Sequence, residues 1–226
     1  MEHWMGKRKA VTFSYDDGVE QDRRLVELLN RYGLKATFNL NSGIMTAASS
    51  WKDNGVTIRR MNATGLPKLY AGHEIAGHML THANPTELDD ETLYNEILLD
   101  KRYLEQLFSQ EVVGMAYPYG SFDDRIVRIA GDCGMRYART VWSSDSTSVP
   151  ADLLRLRPTA HHNAETLFAR IDTFLADASG EPQLLYIWGH SYEFDVNGNW
   201  GRMEELCRRV AGRSDIFYGT NAEVLL

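Results

Sequence analysis

Residues 9–18 read KAVTFSYDDG, and this stretch carries the strongest indication of the fold. Its first part contains Val, Thr, Phe and Tyr, which favour a β-strand. Asp16, Asp17 and Gly18 then predict a turn, because Asp and Gly are typical turn residues. The strand therefore delivers two adjacent carboxylates at its C-terminal end.

Strand and helix patterns continue to alternate along the chain. Apolar residues at helical spacing predict a helix over residues 21–32, and residues 36–40 resume a strand pattern, so the first unit is β-α-β. Further strands are predicted over residues 73–76, 112–117, 136–141, 184–188 and 216–218, and further helices over residues 86–108, 123–133, 164–178 and 203–211. This order favours parallel strands covered by helices, as an incomplete (β/α) barrel or as an open sheet, and both place active sites at strand C-termini. Residues 42–67 are the least regular segment and are interpreted as a loop insertion over the site.

The composition fits one globular domain over residues 1–226. The chain is 43% hydrophobic and 24% charged, and its formal net charge of -7 argues against nucleic acid or an anionic membrane surface as a partner. The basic pairs Arg59-Arg60 and Arg208-Arg209 are accordingly interpreted as solvated faces. The sequence does not indicate an oligomeric state.

The sequence also bears on the compartment. Neither a signal-peptide pattern nor a long apolar span is present, so we expect no membrane insertion and a cytoplasmic location, although removal of a signal peptide would leave the same sequence. Cys133 and Cys207 lie far apart without CxxC spacing, which predicts two buried or incidental thiols and no disulfide framework or cysteine metal site.

His78 and His82 have three residues between them, a spacing that can present two imidazoles to one metal ion. Met79 stands where an HExxH metalloprotease has its glutamate, so a general base must come from elsewhere, and Asp16 or Asp17 could supply it. The alternative is that both histidines satisfy local backbone groups.

Asp16 and Asp17 would repel each other if both were ionised without a neutralising cation or donor. A metal ion resolves this repulsion, because one aspartate can bind the ion while the other accepts a proton from water. The alternative for an isolated Asp-Asp-Gly is an ordinary turn.

Three further groups of residues fall at predicted strand ends. His190 follows an apolar strand and could protonate a leaving group, or it could be structural. Pro118 and Tyr119 form a turn that could aim a backbone N–H at the substrate, or an ordinary Pro-Gly loop. His161 and His162 lie where another strand should end, so one of them is predicted to contact substrate or enlarge the metal shell; the alternative is a loop before a helix.

In combination, these motifs resemble the polysaccharide deacetylase family, the carbohydrate esterases with the NodB homology domain. The family's TFDDG is similar to residues 12–18, its H[S/T]xxH to residues 78–82, its RxPYG to residues 116–120, and its late strand ending in histidine to residues 185–190. The resemblance implies a distorted or incomplete (β/α) barrel. It also implies a role for each matched residue: Asp16 is the base, Asp17, His78 and His82 are metal ligands, Tyr119 donates its N–H to an oxyanion, and His190 is the acid.

The sequence departs from the family pattern at three places. Met79 replaces the usual hydroxyl residue, and Ala116 stands where an arginine would orient the base. Arg155 or Arg157 could replace that arginine from another strand; the alternative is that both are surface charge. The motif whose aspartate tunes the acid histidine is not recognisable. Three acidic residues are candidates for that role: Asp145, Glu193 and Asp195.

The resemblance implies a metal-dependent hydrolase that removes N-acetyl groups from an amino sugar, oligosaccharide or polysaccharide precursor and releases acetate. Zinc suits two histidines and a carboxylate, and Co²⁺, Ni²⁺, Mn²⁺ or Fe²⁺ could also occupy such a site. Two alternatives stay open: an O-acetyl carbohydrate esterase, and a non-catalytic relative that binds carbohydrate through tryptophans such as Trp51, Trp142, Trp188 and Trp200.

Overall fold

The structure is a computed structural model that describes residues 4–226. The first three residues of the predicted domain lie outside the described residues. The strands are β1 (Lys9–Asp16), β2 (Thr37–Leu40), β3 (Ser50–Asp53), β4 (Val56–Arg59), β5 (Glu74–Gly77), β6 (Gly114–Ala116), β7 (Tyr137–Arg139), β8 (Ala160–His161), β9 (Gln183–Gly189) and β10 (Ile216–Tyr218). The helices are α1 (Asp22–Arg31), α2 (Leu66–Leu69), α3 (Asp90–Phe108), α4 (Asp124–Asp132), α5 (Leu167–Ala176), α6 (Glu193–Val196), α7 (Trp200–Val210) and α8 (Asn221–Leu225).

One curled parallel sheet forms the centre of the fold. Its strands follow the order β7-β6-β5-β2-β1-β9-β8, and β10 pairs with the beginning of β1. Within residues 4–226, β7 and β8 are the two ends of this order, and an isolated parallel bridge between Arg139 and Leu156 lies across the gap between them, so the barrel is incomplete. The predicted α/β class and the incomplete (β/α) barrel are therefore confirmed.

Strand β1 lies at the middle of this sheet because its residues suit burial on both faces. Seven of its eight residues are buried, and it pairs with β9 along most of its length and with β2 at its end. Asp16 is level with Asn39 of β2, and Tyr15 is level with Gly189 of β9. All the neighbours are parallel, so their C-terminal ends meet at one edge of the sheet.

Residues 42–67 differ most from the expectation. They contain a β-hairpin formed by β3 and β4, followed by the start of α2. Arg60, just after β4, forms a bridge with Val19, and Met61 donates its N–H to the carbonyl of Gly18. These backbone contacts hold the hairpin against the turn that follows β1, which agrees with an insertion over the site.

The predicted helix over residues 86–108 begins later than expected. Residues Pro85–Glu87 form a 3₁₀ turn, and α3 starts at Asp90 because Asp89 caps it by accepting a hydrogen bond from the N–H of Thr92. Cys133 and Cys207 are both buried free thiols, as predicted. Across residues 4–226, no helix has the length and apolar character needed to cross a membrane.

Candidate active site

Asp17, His78 and His82 come together at the C-terminal edge of the sheet. One potential ligand atom from each lies within 4.8 Å of those of the other two. Asp17 follows β1, and the two histidines follow β5, two strands away. Oδ1 of Asp17 is 3.6 Å from Nε2 of His82. This arrangement could hold a divalent metal ion.

The state of the two imidazoles suits metal binding. Burial lowers the pKa of His78 to about 4, despite the opposing charge of Asp16, so the ring is neutral near pH 7. Nδ1 of His78 lies 2.8 Å from the carbonyl oxygen of Ala116, which can only accept, so Nδ1 carries the proton and Nε2 keeps its lone pair. Burial also lowers the pKa of His82. Two neutral imidazoles and a carboxylate are a donor set that zinc and similar ions accept.

Two carboxylates of helix α3 hold the loop that carries the histidines. Asp100 accepts hydrogen bonds from the N–H of His78 (3.0 Å) and from the N–H of Ser42 (2.7 Å). One turn earlier, Glu96 accepts from both the N–H and the hydroxyl of Thr81, each at 2.8 Å. The burial of Asp100 raises its pKa to about 7. Helix α3 thus positions the loop that carries both histidines.

Several non-glycine residues with left-handed backbone conformation lie in or beside the candidate metal site. The φ angles are 83° at Asp17, 62° at Met79, 59° at His82 and 59° at Tyr119. Such conformations cost on the order of 1–3 kcal/mol each and concentrate at functional sites, where the surrounding structure holds them. The bonds from Glu96 and Asp100 are one source of that support.

Asp16 is buried beside the triad and is held by Arg139 and Asn39. Nη2 of Arg139 lies 2.5 Å from Oδ1 of Asp16, and Nδ2 of Asn39 donates to the same oxygen at 2.8 Å. The guanidinium rests on the ring of Trp188, 4.5 Å from its centroid. Burial would raise the pKa of Asp16, but the charges of Arg139, His78 and His190 together outweigh it, and the pKa falls to about 2. Asp16 is therefore ionised at neutral pH.

The predicted substitutes for the missing arginine, Arg155 and Arg157, are wrong. Arg155 pairs with Asp152 and Asp124 at the surface, and Arg157 donates to the carbonyl of Ser143. Arg139 instead ends β7, directly level with Ala116 of β6. The guanidinium therefore comes from the neighbouring strand β7, at the residue that is level with Ala116 of the motif. The sequence signal that could have identified Arg139 was its place in the strand predicted over residues 136–141, which follows the motif strand along the chain.

His190 lies between Asp16 and Glu193. Its Nε2 is 3.8 Å from Oδ2 of Asp16, and its Nδ1 is 2.8 Å from Oε1 of Glu193. Burial alone would lower the pKa of His190, but the hydrogen bond to Glu193 and the charge of Asp16 raise it to about 9. His190 is therefore charged at neutral pH, beside an ionised Asp16.

Of the three acidic residues considered as partners for His190, only Glu193 contacts it. Asp145 pairs with Arg170 at the surface, and Asp195 accepts a hydrogen bond from the indole of Trp200. Burial would raise the pKa of Glu193, but its three histidine neighbours lower it well below its usual range. Asp145 and Asp195 are therefore wrong as partners.

His161 and His162 both approach the second oxygen of Glu193. Their Nε2 atoms lie 3.1 Å and 2.9 Å from Oε2. His162 is fully buried, stacked against Phe194, and burial lowers its pKa to about 4. Its ring fits because Gly189 has no Cβ, which would lie 2.1 Å from Nδ1. The structure therefore excludes a direct substrate contact by His162, whereas His161 is partly exposed.

Pro118 and Tyr119 form a turn beside the histidines. Pro118 is buried, whereas 63% of Tyr119 is exposed. The Tyr119 ring stands edge-on to the ring of His82, with centroids 4.7 Å apart. The turn thus borders the candidate metal site, where its backbone could reach a bound substrate.

Arg60 is a site residue that the sequence interpretation missed. It was assigned to a solvated face, but only 6% of it is exposed, and its Nη2 donates to Oδ1 of Asp17 at 2.7 Å. Its guanidinium lies 4.9 Å from the ring centroid of Trp51, on the hairpin. No recognised motif contains Arg60, because it comes from the irregular insertion.

Comparison with known proteins gives both sequence and structural relatives. The sequence profile described as polysaccharide deacetylase matches residues 5–138. A peptidoglycan-N-acetylglucosamine deacetylase from Bacillus cereus is 26% identical over 137 residues, which are 60% of this chain and 57% of that protein. The matched part is thus less than two-thirds of that relative's length.

Solved structures share the fold at low identity. The family 4 carbohydrate esterase from Streptomyces lividans in complex with acetate has a TM-score of 0.57 and 16% identity, covering 94% of this chain and 93% of that chain. A family 4 pseudoenzyme from Bacillus anthracis has a TM-score of 0.59 and 17% identity, covering 97% of this chain and 66% of that chain. At this identity the likeness concerns the fold alone.

Proposed function

The chain belongs to the polysaccharide deacetylase family, and on that premise we propose that it is a metal-dependent hydrolase that removes N-acetyl groups from an amino sugar, oligosaccharide or polysaccharide precursor. Acetate and a free amine are the products. The curated relative's name supports an N-acetylated amino sugar as the substrate class. The proposed domain is the whole chain.

The observation that carries this proposal is that a deprotonated carboxylate, Asp16, lies beside a protonated imidazole, His190. Asp16 has a pKa of about 2 and His190 a pKa of about 9, with 3.8 Å between Oδ2 and Nε2. A pair of titratable groups whose pKa values are pushed apart is typical of an assigned base and acid. A protein that only binds carbohydrate would need neither.

The proposed metal ligands are Asp17, His78 and His82. A divalent ion bound there would polarise the acetyl carbonyl and lower the pKa of a water molecule. The neutral imidazoles and the short distances among the three donors fit such an ion.

The protein's own groups then complete the hydrolysis. Asp16 accepts the proton of the attacking water while Arg139 and Asn39 hold its carboxylate in place. The backbone N–H of Tyr119 stabilises the negative charge that develops on the acetyl carbonyl oxygen. His190 donates its proton to the departing nitrogen, and Glu193 orients its ring. One water is consumed, and acetate and the amine are released.

Acetate release from a matched panel of sugars tests this function. We expect N-acetylglucosamine oligomers to release acetate in the presence of Zn²⁺ or Co²⁺. No acetate should be released after chelation, and release should return when the metal is restored. A preference for O-acetylated xylo-oligosaccharides would instead favour the esterase alternative. Absence of release from every substrate with metal bound would favour a non-catalytic relative.

Replacing Glu193 by glutamine is expected to move the alkaline limb of the pH–rate profile to lower pH. Burial alone lowers the pKa of His190, and the bond to Glu193 is the largest influence that raises it to about 9. Since the acid must be protonated, kcat/KM should decline as pH rises through about 9 in the wild type. In Glu193→Gln the decline should begin earlier, because the charge that keeps His190 protonated is gone.

Asp195→Asn is the matched control for this measurement. Asp195 lies on the same short helix but contacts Trp200 instead of His190. Its profile of kcat/KM against pH should keep the wild-type alkaline limb. An unshifted limb in Glu193→Gln would contradict the assignment of Glu193 as the partner of the acid.

A further inference from the structure

Arg60 is anchored against the turn that carries Asp17. Its N–H donates to the carbonyl of Ser49, and its backbone bridges to Val19, two residues beyond Asp17. Its Nη2 also lies 3.3 Å from Oδ1 of Asn41. The side chain is thus tied from two sides and directed at the proposed metal ligand.

The ring of Trp51 packs on this guanidinium. This ring meets the ring of Tyr192 edge-on, with centroids 5.5 Å apart. Nε of Arg60 is buried and forms no hydrogen bond among the described residues. Burying a guanidinium is costly unless it is paired with an opposite charge. The nearest charge is that of Asp17, at 2.7 Å.

Each of the two adjacent aspartates therefore has its own arginine. Arg139 pairs with Asp16, and Arg60 pairs with Asp17. The repulsion that adjacent carboxylates would suffer is thus already relieved by protein charges. A metal ion is not required to hold the aspartates together, and when it binds it must share Asp17 with a fixed positive charge.

We propose that Arg60 sets the metal affinity of this site by competing with the ion for Asp17. The proposal rests on the metal ligands assigned under the proposed function. Arg60 stabilises the metal-free site and opposes a dication bound by the same carboxylate, because like charges a few ångströms apart repel strongly in a partly buried setting. The insertion that carries Arg60 and Trp51 thereby weakens the binding of the ion.

Calorimetric titration of the metal-free protein with Zn²⁺ tests this role directly. We expect Arg60→Gln, which can still donate a hydrogen bond to Asp17 but carries no charge, to bind Zn²⁺ at least about tenfold more tightly than the wild type. Arg60→Lys retains the charge and should bind close to the wild-type affinity. Arg59→Met is the matched control, since Arg59 is the exposed preceding residue, and it should leave the affinity unchanged.

Thermal unfolding provides a second readout that does not depend on activity. Metal-free Arg60→Gln should melt below the wild type, and Zn²⁺ should raise its Tm by more than it raises that of the wild type. If Arg60→Gln is poorly folded without metal, this larger rise on adding Zn²⁺ still reports the tighter binding.

The outcomes separate this inference from the proposed function. If the wild type binds no Zn²⁺, Co²⁺, Ni²⁺, Mn²⁺ or Fe²⁺, the metal site itself fails, and the proposed function fails with it. If the wild type binds Zn²⁺ but Arg60→Gln binds it no more tightly, the role of Arg60 is overturned while the metal site stands. Equal tightening in Arg60→Lys and Arg60→Gln would also overturn it, because charge would not be the cause.

Discussion

Replacing Asp16 by asparagine is expected to lower kcat for acetate release by about 10²- to 10⁴-fold, the range that general base catalysis contributes. The asparagine has nearly the same shape, but its amide cannot accept the proton of the attacking water. The charges of Arg139, His78 and His190 lower the pKa of Asp16 to about 2, so its carboxylate is ionised near neutral pH and free to accept a proton. Steady-state kinetics of acetate release, with metal in excess, measures the loss.

Metal binding decides how a loss of activity in Asp16→Asn is interpreted. The proposed ligands are Asp17, His78 and His82, so the variant should still bind Zn²⁺ in a calorimetric titration. Asp132→Asn is a suitable control, since Asp132 is an exposed carboxylate at the end of α4. Full activity in Asp16→Asn would make the proposed mechanism wrong even with metal bound.

Replacing Arg139 by methionine is expected to damage both catalysis and stability. Arg139 is 1% exposed and pairs with a buried carboxylate, so its removal leaves Asp16 uncompensated. Breaking a buried ion pair in this way typically lowers the free energy of unfolding by about 3–5 kcal/mol. Denaturant unfolding measures this loss. We also expect kcat to fall by about 10²-fold or more, since a base without its partner is misplaced and easier to protonate.

Two further variants separate the effect of charge from that of packing. In Asp16→Asn/Arg139→Met neither charge remains, so much of the lost stability should return, although activity should not. Arg155→Met removes one of the surface arginines first considered for this role and should change neither property much, because exposed ion pairs contribute about 0–1 kcal/mol. Wild-type stability and activity in Arg139→Met would contradict the assigned pairing.

The position of Arg139 also suggests a double variant in which the arginine is moved from position 139 to position 116. Ala116 and Arg139 are level with each other on adjacent parallel strands, so their side chains extend from the same face of the sheet. Ala116→Arg combined with Arg139→Ala restores an arginine at the family motif and is expected to recover part of the kcat lost in Arg139→Ala alone. No recovery would mean that the base depends on the direction of approach from β7.

The sequence by itself determined the order of the elements and which chemical groups share one edge of the sheet. Strand-like runs that end in Asp16-Asp17, at His78 and at His190 could be placed together, because parallel strands present their C-terminal ends on the same side. The β-rich run that ends at Tyr15 likewise identified the strand that carries the two aspartates. Helix beginnings were less well determined. Helix α3 was predicted to begin at residue 86, but it begins at Asp90 because Asp89 caps it.

Only the tertiary structure decided which charged groups act as partners. Arg139 lies 123 residues from Asp16, Arg60 lies 43 residues from Asp17, and Glu193 was one of three equally plausible acids for His190. Such pairs depend on strand register, on the curl of the sheet and on how an irregular hairpin folds back, none of which leaves a local pattern. The Asp-Asp pair that first indicated a metal proved to be neutralised residue by residue, because burial forces each charge to find a partner in space.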